Sequence, residues 1–334
     1  MRPVLVTGAA GFIGSHLVDQ LLESGAAVRV LDNLSTGALV NLQAAAERHR
    51  RHAGTPNGSQ LEVIIGDIRD RKMVRKALRG VKSVFHLAAL PAEVVSIMDP
   101  GEVHAANVEG TLNVLHGALT EGVWRVVFGS SAAVYGISDG VPVPEDGPVR
   151  PPTLFGASKL AAETYCQAFH ARHRLDTVTL RYFNVYGPRQ RAGSGGGLVA
   201  NIVEALGQGR LLADCDERSA EDFLYVDDAV VATLAAGRAP RAAGRIINVG
   251  SGKLVSIGDL LVMLGNLLQT STKARMRLHP ESGPHQICAR MSLAAELLDF
   301  EPRVSLVDGL ARLVRFMTES QHVEPHVLAQ VGPE

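Results

Sequence analysis

Thr7-Gly8-Ala9-Ala10-Gly11-Phe12-Ile13-Gly14 follows the apolar run Val4-Leu5-Val6 and opens the helical pattern Gly14–Glu23. A Gly-x-x-Gly-x-x-Gly loop between strand and helix gives a tight turn. It also lets backbone N–H groups approach a pyrophosphate at the positive end of the helix. A lone glycine triplet is as often an ordinary turn, so the context decides. Here a second strand-like run, from Ala27 to Asp32, completes the strand–loop–helix–strand unit. Asp32 is placed to accept hydrogen bonds from the adenosine ribose hydroxyls and would repel a 2′-phosphate, which favours NAD over NADP. The competing reading makes Asp32 a surface turn residue.

Outward from this unit, strand-like runs recur near 61–66, 83–87, 125–130 and 177–182. Helical patterns near 70–78, 100–121 and 155–172 separate them. That alternation predicts an α/β fold, a Rossmann-type doubly wound parallel sheet with a smaller C-terminal substrate-binding lobe. Residues 41–60 read as a short helix running into a loop. Residues 1–183 form the expected nucleotide-binding domain, with elements near 224–250 returning to it. Residues 184–223 and 251–320 form the lobe, and 321–334 a loose tail.

Composition narrows the classes. The 334 residues are 46% hydrophobic with a formal net charge of −1, which gives no basis for nucleic-acid or membrane-surface binding. No apolar run reaches membrane-spanning length, because Ser256, Asp259 and Asn266 break the longest one. The three cysteines, Cys166, Cys215 and Cys288, are widely spaced and suggest neither a disulfide framework nor a zinc site. A strand beginning almost at once at Val4 leaves no room for a leader, so the expected setting is the cytoplasm. No metal site is expected.

Further motifs carry a family resemblance: Asp32-Asn33-Leu34-Ser35-Thr36-Gly37, Gly66-Asp67-Ile68, His86-Leu87-Ala88-Ala89, Asn107-Val108-Glu109-Gly110-Thr111, Ser130-Ser131-Ala132-Ala133-Val134-Tyr135-Gly136 and Leu180-Arg181-Tyr182-Phe183-Asn184-Val185-Tyr186-Gly187-Pro188. With the glycine loop, the chain resembles the extended short-chain dehydrogenases/reductases, and among them the UDP-galactose 4-epimerase-like nucleotide-sugar epimerases, over nearly its whole length. The resemblance implies NAD held by Gly8, Gly11, Phe12, Ile13 and Gly14, and by Asp32, Asn33, Ser35 and Gly37. It places Asp67 and Ile68 beside the adenine, and Leu87, Ala88 and Ala89 along the pyrophosphate and ribose. Asn107, Ser130, Lys159 and Tyr182 complete that set. It also implies a homodimer through the helices near 100–121 and 155–172.

In that family a Tyr-x-x-x-Lys pair does acid/base work, the lysine binding the nicotinamide ribose and lowering the phenol's pKa. This chain reads Phe155-Gly156-Ala157-Ser158-Lys159, so the lysine is present and the phenol is missing. Ser131 matches the serine or threonine that bridges to the sugar hydroxyl. Phe155 leaves three possibilities: an engineered Tyr-to-Phe trap, natural divergence with the proton managed by Ser131, water or substrate, or an NAD-binding sensor or partner-binding protein without turnover. Ala132 and Ala133 stand where the family's dehydratases carry Asp-Glu and its decarboxylases an acid. Epimerization, needing only hydride removal and return, is the reaction that remains.

The substrate side departs from the pattern. The family's Arg-Asp-Phe segment reads Glu221-Asp222-Phe223, and a second family arginine aligns with Glu281. Either Arg218 or Arg290 takes over a diphosphate, or the substrate is a cationic amino sugar or aminoglycoside-like compound, or Glu221 is a solvated loop acid. The resemblance further assigns Ser96, Ser131, Ala133, Asn184, Leu198 and Val199 to the substrate, although Ser96 suits a helix cap equally well.

Overall fold

The computed structural model describes residues 2–52, 60–91, 99–136, 140–193, 197–210, 216–270 and 285–320. Its first sheet is built from β1 (Val4–Thr7), β2 (Val28–Asp32), β3 (Leu61–Ile65), β4 (Ser83–His86), β5 (Arg125–Ser131), β6 (Asp176–Tyr182) and β9 (Ile246–Val249). These seven strands are all parallel, in the order β3-β2-β1-β4-β5-β6-β9. The order reverses beside β1, and the crevice at the carboxyl ends there is where such sheets bind ligands. Helices cover both faces, so the central strands read as continuous apolar runs: β1, β4 and β5 are buried nearly throughout.

The elements expected from the sequence are present with small shifts at their ends. The helix Leu154–His173 is capped by Thr153, whose hydroxyl accepts from the Gly156 N–H at 3.1 Å. The expected helix over 100–121 is instead two helices, Pro100–His104 and Gly110–Thr120, joined through a wide π-turn at Ala105–Glu109. That turn carries Asn107 inward. Residues 53–59 of the expected loop, and the tail 321–334, lie outside the described residues.

The sequence pattern carries no sign of the second sheet. β7 (Asn184–Tyr186), β8 (Ala220–Tyr225), β10 (Leu254–Ser256) and β11 (Gln286–Ile287) pair around β8. The helices Leu198–Gly207, Ile257–Leu267 and Leu306–Ser320 pack on it through Ile202, Leu206, Leu260, Leu264, Leu310 and Leu313. The chain also returns to the first core twice: the helix Val226–Ala236 packs there with Ala229 and Val230, and the segment around Ala294, Leu298 and Phe300 joins the same cluster. The sequence reading places only the first of these returns.

His86, at the end of β4, links the two sides of the nucleotide crevice. Its Nδ1 lies 2.7 Å from Thr7 Oγ1 and its Nε2 3.0 Å from Thr111 Oγ1, and it is buried. Burial, with the Lys159 ammonium nearby, pulls its pKa down to about 3. The unfolded chain binds this proton near 6.5 and the folded chain does not, so stability present above 6.5 is lost as pH falls toward 3. We expect His86→Gln to remove up to about 1.4 kcal/mol per pH unit from that slope. Chemical denaturation followed across that window measures it; an unchanged slope would exclude His86 as its source.

Candidate active site

The carboxyl ends of β1, β4, β5 and β6 open into a cleft of about 830 Å³, whose far wall is the second sheet. Gly8 sits at φ +69°, and a Cβ there would lie 2.6 Å from the Ala88 amide nitrogen. A Cβ on Gly14 would lie 2.2 Å from the Gly8 carbonyl oxygen. Only glycine fits either place, and the result is a cradle of backbone at the start of the helix Phe12–Glu23. Asp32 is buried and ties the cradle to β2: its carboxylate accepts from the Ala10 N–H and from the Leu34 N–H, each at 2.8 Å. It also lines the cleft.

Asn33 and Asp67 meet at the end of the cleft beside Asp32, with the Asn33 amide donating to Asp67 at 2.9 Å. Arg69 grips Asp67 at 2.8 Å and Glu102 at 2.8 Å. Burial alone would raise the Asp67 pKa, but the Arg69 bonds dominate and hold it at about 2. Phe12, Ile13, Ser35, Ile68, Leu87, Ala88, Ala89, Ser130 and Tyr182 line the same cleft. Gly37 instead lies against Ala10, behind the cradle. Asn107 is also behind the wall: it accepts from the Leu90 N–H at 2.7 Å and donates to Ser158 Oγ at 2.9 Å. It fastens a cleft loop to the helix that carries Lys159.

Lys159 is buried, and its ammonium donates to the Gly129 carbonyl at 2.7 Å. The same nitrogen lies 5.7 Å from the centre of the Phe155 ring, which is half-buried and faces the cleft. Burial pulls the Lys159 pKa down to about 8, against the opposing pull of Glu163. Ser130 donates to Glu163 at 2.5 Å, and Arg181 grips the same carboxylate at 2.7 Å. Ser131, Ala132 and Ala133 all reach the cleft, and the Ser131 hydroxyl accepts from the Ala133 N–H at 3.1 Å.

No nearby phenol replaces the missing one among the described residues. The Tyr182 hydroxyl is 2.7 Å from Thr233 Oγ1, and that of Tyr135 donates to Asn248 at 2.7 Å. Burial raises the pKa of both. Neither can act as a base near neutral pH.

On the second-sheet side of the cleft, Asn184 donates to Glu221, and Glu221 meets His285 Nε2 at 2.9 Å. Arg189 pairs with Asp19 at 2.7 Å and Arg191 donates to the Thr36 carbonyl at 2.9 Å; both line the cleft. Sequence reasoning missed Arg189, Arg191 and His285. The basic pair shortly after Gly187-Pro188 was a usable signal for the arginines, whereas nothing local marks His285. One Arg189 Nη1 atom is buried without a partner among the described residues, as a cleft awaiting an anion would leave it.

Neither arginine expected at a diphosphate comes to the cleft. Arg290 is exposed beside a separate depression with Tyr135, Pro142 and Arg150, because its backbone is bonded to Val143. Arg218 is spent on Asp216 at 2.7 Å and is not among the cleft residues. Val199 is buried in the second-lobe core, and Leu198 packs against it. Ser96 and Glu281 lie outside the described residues. Also among the described residues, no cluster of His, Cys, Asp and Glu suits a metal ion, and no helix is long and apolar enough to cross a membrane.

The family described as the NAD dependent epimerase/dehydratase family matches residues 4–250. A UDP-glucose 4-epimerase of Mycolicibacterium smegmatis is 35% identical across 93% of this chain and 97% of its own. A solved UDP-glucose 4-epimerase of Thermotoga maritima, with UDP-glucose, aligns at TM-score 0.85 and 30% identity, covering 96% of this chain and 100% of that one. Equally similar in fold, at TM-score 0.85 and 30% identity over 95% and 99%, is a tyrosine-to-phenylalanine variant of a Bacillus cereus UDP-glucuronic acid 4-epimerase, with a fluorinated UDP-sugar and NAD.

The cradle predicts a sharp steric effect. Gly14→Ala should weaken NAD binding by about tenfold or more, since overpacking against the Gly8 carbonyl costs on the order of 1–3 kcal/mol. Fluorescence titration with NAD checks this, and an unchanged affinity would place the dinucleotide elsewhere.

Proposed function

We propose that this chain, which belongs to the NAD-dependent epimerase/dehydratase family, is a nucleotide-sugar epimerase whose base position is occupied by Phe155. The observation that carries the reading is the buried Lys159 ammonium, fixed on the Gly129 carbonyl beside the Phe155 ring and opening on the glycine-cradled cleft. The cradle clearances and the unpartnered Arg189 nitrogen fit an anionic dinucleotide. NAD, when bound, supplies the acceptor and donor for a hydride at one carbinol carbon.

The chain's own residues do the rest. The N–H groups around Gly8–Gly14 hold the pyrophosphate, Asp32 the adenosine ribose, and Lys159 the nicotinamide ribose. Ser131 reaches the sugar hydroxyl and holds its proton in place. Ala132 and Ala133 offer no carboxylate for elimination or for steps around loss of carbon dioxide. Phe155 takes no proton, so the proton leaves through the Ser131 hydroxyl or bound water to solvent, or to a group of the substrate itself. Loss of a general base costs about 10²–10⁴ in rate, which leaves a slow enzyme.

Glu221 favours this reading over a cationic amino sugar, because Asn184 and His285 already engage its carboxylate. A homodimer through the helices Gly110–Thr120 and Leu154–His173 is part of the proposal; exposed Leu119, Leu154 and Tyr165 on them suit such a contact.

Phe155→Tyr should raise the rate of UDP-glucose/UDP-galactose interconversion by about 10²–10⁴, and Lys159→Met in that background should remove the gain. Chromatographic assay of the two epimers measures both. No gain, with NAD and UDP-sugar binding intact, would favour the sensor without turnover.

A further inference from the structure

Glu221 stands on β8 at the substrate end of the cleft, one step before the buried Asp222. β11 runs parallel to β8 with Ile287 opposite Glu221, and the Ala220 N–H donates to the His285 carbonyl at 2.9 Å. That register delivers the His285 imidazole onto the Glu221 carboxylate. Nε2 lies 2.9 Å from Glu221 Oε1, Nδ1 lies 3.1 Å from Ser219 Oγ, and the His285 N–H donates to the same hydroxyl at 3.2 Å. The ring is therefore held at both nitrogens. The Glu221 side chain is 13% exposed and the His285 side chain 47%, so the carboxylate sits behind and the imidazole in front.

Among the described residues, the charged groups around His285 are Glu221 and, farther off, Asp216 before the start of β8, which Arg218 already neutralises. Asn184 binds the far side of Glu221 but carries no charge. The Glu221 bond raises the His285 pKa above its ordinary 6.5, against the opposing pull of burial. The pair is thus neutral overall when the imidazole is protonated and carries one negative charge when it is not. Of the other cations of the cleft, Arg69 is committed to Asp67 and Glu102, Arg191 to Thr36 and Lys159 to Gly129, while Arg189 pairs with Asp19 and keeps one nitrogen unpartnered among the described residues.

We propose that His285, anchored on Glu221 and Ser219, is the specificity residue that admits an anionic nucleotide sugar: its imidazolium cancels Glu221, and its neutral form leaves a carboxylate that repels the diphosphate. This rests on the nucleotide-sugar reading of the cleft. Affinity is then full below the raised His285 pKa and falls as pH rises through it. One uncancelled charge beside a diphosphate, partly screened, is worth about tenfold in affinity.

Isothermal titration of the NAD-loaded protein with UDP-glucose, from about pH 5.5 to about pH 8.5, tests this, because the diphosphate diester keeps its charge across that range while the imidazole does not. The wild type should lose about tenfold in affinity with a midpoint above 6.5. His285→Gln should bind weakly and without pH dependence, since Glu221 stays uncancelled. Glu221→Gln should bind tightly at high pH, because no carboxylate remains to repel the substrate. Tight binding that is flat with pH in the wild type, or weak high-pH binding by Glu221→Gln, would overturn the role of His285. Failure of UDP-glucose to bind at any pH, with NAD affinity intact, would overturn the nucleotide-sugar reading itself and this proposal with it.

Discussion

The Lys159 ammonium on the Gly129 carbonyl is the contact on which the rest of the site depends. It joins the end of β5 to the helix Leu154–His173, and so fixes Ser130, Ser131 and position 155 relative to one another. A buried ammonium costs several kcal/mol unless its surroundings compensate it. Glu163, one turn further along the same helix, provides the opposing charge, but it also binds Arg181 and Ser130. The cluster therefore holds two cations and one carboxylate. An anion facing Lys159 would balance it, and a phenolate at position 155 would be that anion. Phenylalanine keeps the ring and leaves the charge unbalanced. In the proposed reading the site lacks one hydroxyl, and Tyr135 and Tyr182, held by Asn248 and Thr233 and raised in pKa by burial, do not serve in its place.

The two ends of the cleft are built differently. The dinucleotide end is made of backbone, glycine clearances and Asp32, features that tolerate little change in volume or charge. The other end is made of side chains on the short strands β7, β8 and β11, where the Glu221 carboxylate faces the cleft. His285 pairs with that carboxylate, and in the proposal its imidazolium cancels the charge facing an anionic nucleotide sugar. Divergence of the second-sheet end is thus compatible with an intact cofactor end, because the backbone cradle and Asp32 do not depend on Glu221 or His285.

Much of the fold was legible because it is local. The glycine loop, the apolar β1 and the Thr153-capped helix each follow from a few adjacent residues. The second sheet was not legible: its strands are two to six residues long, partly polar, and pair between segments far apart in sequence. The wide turn that carries Asn107 behind the wall likewise has no signature beyond the helix it interrupts. For the same reason nothing local marks His285, and spacing suggests Arg290 for the substrate although its backbone pairing with Val143 turns it to another face. Where a residue's role depends on which strand lies beside it, sequence spacing alone does not find it.

We propose that Lys159 holds a site for an anion at position 155. Ultraviolet titration of Phe155→Tyr against the wild type tests it most directly, since burial raises the phenols of Tyr135, Tyr182, Tyr186 and Tyr225 above the ordinary range. One additional phenolate should form at least about one pH unit below the ordinary value near 10, and move back up when Lys159→Met is added. A new phenol that titrates at or above about 10 with Lys159 in place would contradict it.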